Sequence, residues 1–288
     1  MKEVFVSGYT LPEAYHMAIM ELHNHGSILS CNDWNQKQKE VSMTMVVEEP
    51  FREPMITRLY IGGFRELQQY VMEVLEGILD FKIGETSHHW EYTYHDRMVN
   101  FPIKNGTLNQ IEFVIAELKR NPDSRRAVVN IRDNNIDPFN TDPACLQNMQ
   151  FFIRDSRLHC KVLMRSNDAT EATFMNAFAF IMLQKLIADR IGVEVGTYTH
   201  RANSFHCYEK DFQLLSQYID GICKKATEDI TYEYENFYKE MMEESIPDIE
   251  KMVQDLKDRL FMKPSLAEQN TCIKGISINS DVYKRNAG

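Results

Sequence analysis

Residues 174–191, FMNAFAFIMLQKLIADRI, constrain this chain more than any other stretch. The run is long and strongly apolar, and a helix that is apolar on most of its surface must be surrounded by other elements. It belongs at the centre of a core. Its most apolar part, FMNAFAFIML, holds Asn176. A buried side-chain amide costs free energy unless its donors and acceptor find partners. Two roles would satisfy it: a structural bond to a neighbouring strand, or a pocket amide that reads a heterocycle edge with one donor and one acceptor.

The sequence before this helix predicts a hairpin. MQFFIRD alternates, RDSR turns, and RLHCKVLMRS alternates again. Met149, Phe151 and Ile153 share an apolar face with Leu158, Cys160, Val162 and Met164, while Gln150, Arg154, Lys161 and Arg165 face the other way. Further strands are expected at 41–47 (VSMTMVV), 127–132 (AVVNIR) and 195–206 (VGTYTHRANSFH). Thr10-Leu11-Pro12-Glu13 opens a helix with a capping threonine and an early proline, and Gly26 is a stop. A second helix over 64–79 places Leu67, Tyr70, Val71, Val74, Leu75 and Ile78 at helical spacing. A third runs from Leu108 to Leu118, and the last helices are interrupted near Ile246-Pro247. With no repeat and no Gly/Pro/Ser-rich linker, the expectation is an α+β chain forming one domain over 1–288.

The formal charge of -10 over 288 residues removes any bulk electrostatic case for nucleic-acid binding. An anionic ligand would have to be held by a local basic cluster. Six cysteines are scattered without metal-ligand spacing, so no metal site is expected; they read as free thiols in a reducing, cytoplasmic setting. The N-terminus lacks the apolar run of a signal peptide, and no apolar stretch reaches the about 18 residues of a membrane span.

Several residues could carry chemistry. Cys145 lies two residues after Pro143 at a strand entry, and an isolated cysteine is more often core than nucleophile. A free thiol has a pKa of about 8.5 and is mostly protonated at neutral pH. The Arg165 guanidinium would favour the thiolate if both faced one cavity. Ser124-Arg125-Arg126 is either a solvated pair or a phosphate grip, and with Arg165-Ser166 it would supply three guanidiniums and a hydroxyl. His206 and Tyr208 share one face of a strand.

Taken together, six stretches carry a resemblance. PDSRR (122–126), PAC (143–145), QFFI (150–153), RSND (165–168), FMN (174–176) and FHCY (205–208) resemble, in order and spacing, the thymidylate synthase family. The motifs lie within 64–212, and DPACLQ, MRSNDA and FMNAF are most similar to the archaeal and phage-like branch. Deoxycytidylate hydroxymethylases belong to the same superfamily. The resemblance implies a mixed sheet packed with helices, one sheet face forming a homodimer interface. It implies a pyrimidine nucleoside monophosphate substrate, most directly dUMP, with 5,10-methylenetetrahydrofolate or a related pterin as cosubstrate. Cys145 would be the nucleophile at C6. Arg165 would activate it and bind phosphate with Ser166, while Arg125 and Arg126 reach across from the partner subunit. Asn176 would hold the base, His206 and Tyr208 the 3′-hydroxyl, and Asp168 the cofactor ring. Glu66, in RELQQY, would manage protons through water, and Tyr94, in YTYHDR, would assist proton removal from C5.

The chain also departs from the family pattern. Leu146 stands where a histidine usually follows the nucleophile, and His95 replaces a glycine after Tyr94. Trp90 is the one candidate for a cofactor-covering tryptophan, Lys37 or Lys39 marks the region of an N-terminal phosphate contact, and KGISINSDVYKRNAG does not resemble the family's closing tail. Methylation is therefore the leading expectation and hydroxymethylation of dUMP, dCMP or CMP the alternative. A catalytically silent nucleotide-binding relative is the third reading.

Overall fold

The computed structural model describes residues 1–32, 35–84 and 90–261. The divergent tail 274–288 and Cys272 lie outside the described residues. The chain divides into two compact units, Met1–Ile249 and Glu250–Gly288.

In chain order the elements are β1 (Glu3–Gly8), α1 (Leu11–His25), β2 (Ser27–Cys31), β3 (Gln36–Val47), β4 (Ile56–Thr57), α2 (Phe64–Glu76) and α3 (Tyr94–Val99). There follow β5 (Phe101–Ile103), β6 (Gly106–Leu108), α4 (Gln110–Arg120), β7 (Val128–Asn130), β8 (Leu146–Arg154), β9 (Arg157–Met164) and β10 (Asn167–Asp168). The chain continues through α5 (Thr173–Ile191), β11 (Glu194–Tyr208), α6 (Phe212–Lys224), β12 (Thr231–Tyr232), α7 (Lys239–Glu244) and α8 (Ile246–Phe261). The main sheet runs β1-β3-β11-β9-β8-β7, with β2 beside β3 and β10 beside β11. It is mixed: β11 is antiparallel to β3 but parallel to β9 and β10.

The apolar run becomes α5, and Phe174, Phe178, Phe180, Ile181 and Ile187 on it are buried. Full burial of such side chains contributes roughly 1.5–3 kcal/mol each. α5 packs on β9 and β11 on one side and meets α1, α2 and α4. The hairpin forms as its alternation demands. Met149, Phe151, Ile153, Leu158, Cys160, Val162 and Met164 are all buried beneath the helices. Its turn uses Asp155 and Ser156 at φ 51° and 60°, the left-handed geometry that a two-residue hairpin loop requires. The opposite sheet face is half-exposed. There Arg201 crosses the strands to Glu3 (2.8 Å), Ser42 (2.6 Å) and Thr44 (3.0 Å), and Phe5 is exposed.

Element ends differ from the sequence expectation where side chains intervene. α2 stops at Glu76 rather than 79, because Gly77 turns left-handed at φ 66°. A Cβ at Gly77 would also collide with the His95 ring. β3 extends back to Gln36 because it pairs there with β2. α4 begins at Gln110 since Asn109 accepts the Glu112 N–H (3.0 Å). β1 and α3 were not anticipated. Within the second unit, residues 250–261 are helical, and Gln254 donates to Asp258 one turn on (2.8 Å).

Candidate active site

The hairpin brings its two outer ends together. Leu146 pairs with Met164, and the Arg165 N–H donates to the Cys145 carbonyl at 2.8 Å. The pairing is irregular between Leu146 and Asn148, next to the cysteine, where a bulge re-aims the strand. The Arg165 guanidinium bends back along the same segment, donating to Ala144 O (3.1 Å) and Pro143 O (2.5 Å). Asp142 lies 4.0 Å away. Cys145 is half-buried, and burial raises its thiol pKa; Arg165 pulls it down without cancelling that, and Asp142 adds to the rise. Arg165 is thus placed beside the thiol, but in the isolated subunit desolvation outweighs its activating effect.

Three tyrosines surround the cysteine. The Tyr94 hydroxyl accepts the Leu146 N–H at 3.3 Å, and Tyr92 lies close enough to Cys145 for its hydroxyl to feel that residue. Their rings stand 5.9 Å apart. From α2, the Tyr70 hydroxyl donates to Asn176 Oδ1. Burial pushes the pKa of all three phenols up, and the nearby Cys145 raises each further. They are therefore protonated hydroxyls at neutral pH. A cavity of about 470 Å³ opens beside them, walled by Tyr70, Glu73, Trp90, Tyr92, Tyr94 and Asp142. Desolvation raises the Glu73 carboxyl pKa; the hydrogen bond from Gln69 and the charge of Lys82 oppose it. Lys82 Nζ stands 4.0 Å over the Trp90 ring.

The wall is braced from behind. Glu91 accepts the Thr141 hydroxyl at 3.1 Å, fixing the approach to Cys145. Asp80 receives Thr93 Oγ1 (2.5 Å) and bonds His95 Nδ1 (2.6 Å). So His95, the departure after Tyr94, anchors α3 to the segment after α2. Arg97, buried at 4% exposure, donates to Asp137 (3.0 Å) and lies 3.7 Å from Asp133. This ties α3 to the loop that leads into Cys145.

On the other side of Arg165, β10 lies along β11 with Asp168 opposite His206. His206 is buried; its Nδ1 lies 3.3 Å from Ser204 Oγ and 3.5 Å from Ser166 Oγ. Its Nε2 is buried with no hydrogen-bond partner among the described residues. Burial lowers its pKa, so the ring is neutral. The Tyr208 ring packs edge-on against it at 4.7 Å. Asp168 Oδ1 accepts the N–H groups of Thr170 (2.9 Å) and Glu171 (2.8 Å), while Oδ2 is buried without a partner among the described residues. A chain of buried groups, Tyr198–His200–Asn167 with two 2.8 Å bonds, holds this segment in place.

Not every predicted site residue joins this group. Glu66 is half-exposed and sits at the start of α2, accepting the Gly63 N–H at 2.9 Å with Arg65 at 3.7 Å. The α2 residue that reaches Asn176 is Tyr70, one turn later. Arg125 and Arg126 are exposed and form no ion pair among the described residues. Ser124 beneath them is buried, donating to Glu117 at 2.6 Å and accepting the Arg126 N–H at 3.1 Å. Lys39 Nζ is engaged by the His23 carbonyl (2.5 Å). Leu146 is fully buried and offers the site only its N–H.

The family model for thymidylate synthase matches residues 57–252. The chain belongs to the thymidylate synthase family. Among relatives, a protein of Methanocaldococcus jannaschii is 30% identical over 221 residues, covering 75% of this chain and 96% of its own. One of Methanosarcina barkeri is 26% identical over 217 residues, covering 75% and 95%. Both carry the name "Putative thymidylate synthase". These archaeal relatives agree with the branch indicated by DPACLQ and MRSNDA. Thymidylate synthase A of Bacillus subtilis superposes with a TM-score of 0.59 at 18% identity, covering 73% of this chain and 84% of that one. At that identity the match establishes a shared thymidylate synthase fold.

Within this thymidylate synthase fold, three wall residues escaped sequence reasoning. Tyr70 reads as one more apolar position of α2, and Tyr92 as the first half of YTY. Glu73 reads as a solvated helix charge. Only Tyr92 carried a sequence signal, through its i+2 spacing to Tyr94.

Proposed function

We propose that the protein transfers a one-carbon unit to C5 of a pyrimidine nucleoside monophosphate, converting dUMP to dTMP with 5,10-methylenetetrahydrofolate or a related pterin as donor. The placement of Cys145 and Asn176 against the three tyrosines that wall one cavity carries this reading. The catalytic unit lies within residues 1–249.

Cys145 attacks C6 as thiolate, and the electrons of the C5–C6 bond move towards O4 as the new S–C bond forms. Asn176 Nδ2 donates to O4 where that charge develops, which stabilises the transition state most where water is excluded. C5 then takes the carbon unit. The Tyr94 hydroxyl, positioned beside the cysteine backbone, relays the C5 proton away. Expulsion of the Cys145 sulfur restores the ring double bond. The pterin supplies the carbon unit and, for a methyl product, the hydride.

Binding groups match the rest of the nucleotide. Arg165, whose Nε and Nη2 already hold carbonyls, turns Nη1 to phosphate beside the Ser166 hydroxyl. The unpartnered Nε2 of His206 suits a ribose hydroxyl, with Tyr208 beside it. The free Oδ2 of Asp168 suits the N–H donors of a pterin ring, so the residues present fit that cosubstrate. Arg125 and Arg126, exposed on one subunit, complete the phosphate site of a partner docked on the half-exposed sheet face.

The test is to incubate the protein with dUMP and methylenetetrahydrofolate and weigh the nucleotide product. dTMP with oxidation of the folate is expected. A hydroxymethyl nucleotide with unoxidised folate would replace methylation by hydration of the exocyclic methylene. Binding without any product would leave the silent-relative reading.

A further inference from the structure

A side-chain amide is a reversible reader. Turned by 180°, it exchanges its donor for its acceptor. With Nδ2 facing position 4 of a pyrimidine and Oδ1 facing N3, it matches uracil. Turned over, it matches cytosine. The presence of Asn176 therefore does not settle which base is bound; a third partner must fix the sense of the amide.

That partner is Tyr70. Its hydroxyl donates to Asn176 Oδ1, and Asn176 is only 6% exposed. Tyr70 also walls the cavity together with Tyr92 and Tyr94. Burial, reinforced by the neighbouring Glu73 carboxyl, keeps its phenol protonated, so it is available as a donor. One lone pair of Oδ1 is taken by this bond; the second lone pair and both Nδ2 hydrogens remain for a ligand. Turning the amide would set Nδ2 against the phenol and remove the acceptor from a buried O–H.

We propose that Tyr70 is a specificity-determining positioning residue: by donating to Oδ1 it holds Asn176 in the sense that reads uracil and selects against cytosine. This deepens the proposed function and rests on Asn176 being the base-contacting amide.

The test measures binding of dUMP and dCMP by calorimetry to the full chain and to Tyr70→Phe. That substitution keeps the ring and deletes only the donor. The dUMP-to-dCMP affinity ratio should fall roughly tenfold or more, the range expected for loss of one buried hydrogen bond. General loosening of the site would weaken both nucleotides alike, so an unchanged ratio overturns the inference. The same substitution in an Asn176→Ala background should leave the ratio unmoved, since the amide it acts through is gone. An equal shift in both backgrounds would show that Tyr70 acts independently of Asn176 and overturn the inference. Wild-type protein that binds dUMP but prefers dCMP overturns this inference alone. Binding of neither nucleotide overturns it together with the reading it rests on.

Discussion

Arg165 and Cys145 are joined main chain to main chain at 2.8 Å, while the Arg165 guanidinium grips the carbonyls of the two residues before the cysteine. The arginine thus holds the shape of the nucleophile's segment as well as lying beside its thiol. Its charge favours the thiolate, and burial works against it more strongly.

The first prediction concerns thiol reactivity. Only the thiolate is alkylated, so a raised pKa means slow reaction at neutral pH and a rate that climbs with pH beyond the usual cysteine range. Arg165→Ala removes the positive charge that lowers the pKa, so its midpoint should lie higher still. Iodoacetamide kinetics followed on the Cys145 peptide would show this, separately from exposed Cys223. A midpoint below that of an ordinary thiol would contradict the burial argument.

Cys145→Ala should abolish turnover yet retain nucleotide binding, because its sulfur makes the bond to C6 while other groups hold the ligand. Residual turnover near wild type would end the covalent mechanism. Asn176→Asp should move preference towards dCMP, read from the ratio of the two nucleotides' kcat/KM values.

Tyr94→Phe removes the acceptor of the Leu146 N–H, a bond of 3.3 Å, at a cost of about 1 kcal/mol in stability. If the hydroxyl also moves the C5 proton, kcat should fall by roughly 10²–10⁴-fold. A loss in stability with kcat preserved would confine Tyr94 to bracing the strand.

Arg97→Ala leaves Asp137 and Asp133 buried without their cation. Breaking such a pair costs about 3–5 kcal/mol. Urea unfolding should show that loss, and weaker nucleotide binding should accompany it, since Arg97 anchors the loop that enters Cys145.

His16 and His200 are both pushed down to about 4 by burial. From an unfolded value near 6.5, each depressed histidine makes the unfolded state the better proton binder. Stability should be fully present above about pH 6.5 and fall between there and pH 4, by roughly 3 kcal/mol for each group. His200→Gln should flatten that decline in urea titrations at successive pH values; an unchanged slope would remove His200 as a contributor.

How far the residues could be read in advance depends on how local their cause is. The hairpin, α1 with its Thr10 cap and α5 follow from alternation, capping and apolar length, which act over a few neighbouring residues. The pairing of Cys145 with Arg165 was legible for the same reason, since a hairpin with a two-residue turn must bring its outer ends together. The thymidylate synthase motifs likewise lie in chain order.

The roles of Glu66 and Tyr70 were not legible. Both lie on one face of α2, one turn apart, and nothing in RELQQY says which turn meets α5. Packing answers that: Glu66 binds the N–H of Gly63, and Tyr70 reaches Asn176. Nor could composition rank the effect of Arg165 on the Cys145 thiol against that of burial. Desolvation is a property of everything packed around a group, whereas sequence spacing reports only what lies near it along the chain. The amino-acid sequence determined the strands, the helices and the order of the reactive residues; assembly of α2 and α3 against the sheet set which of them share a cavity, and with what ionisation.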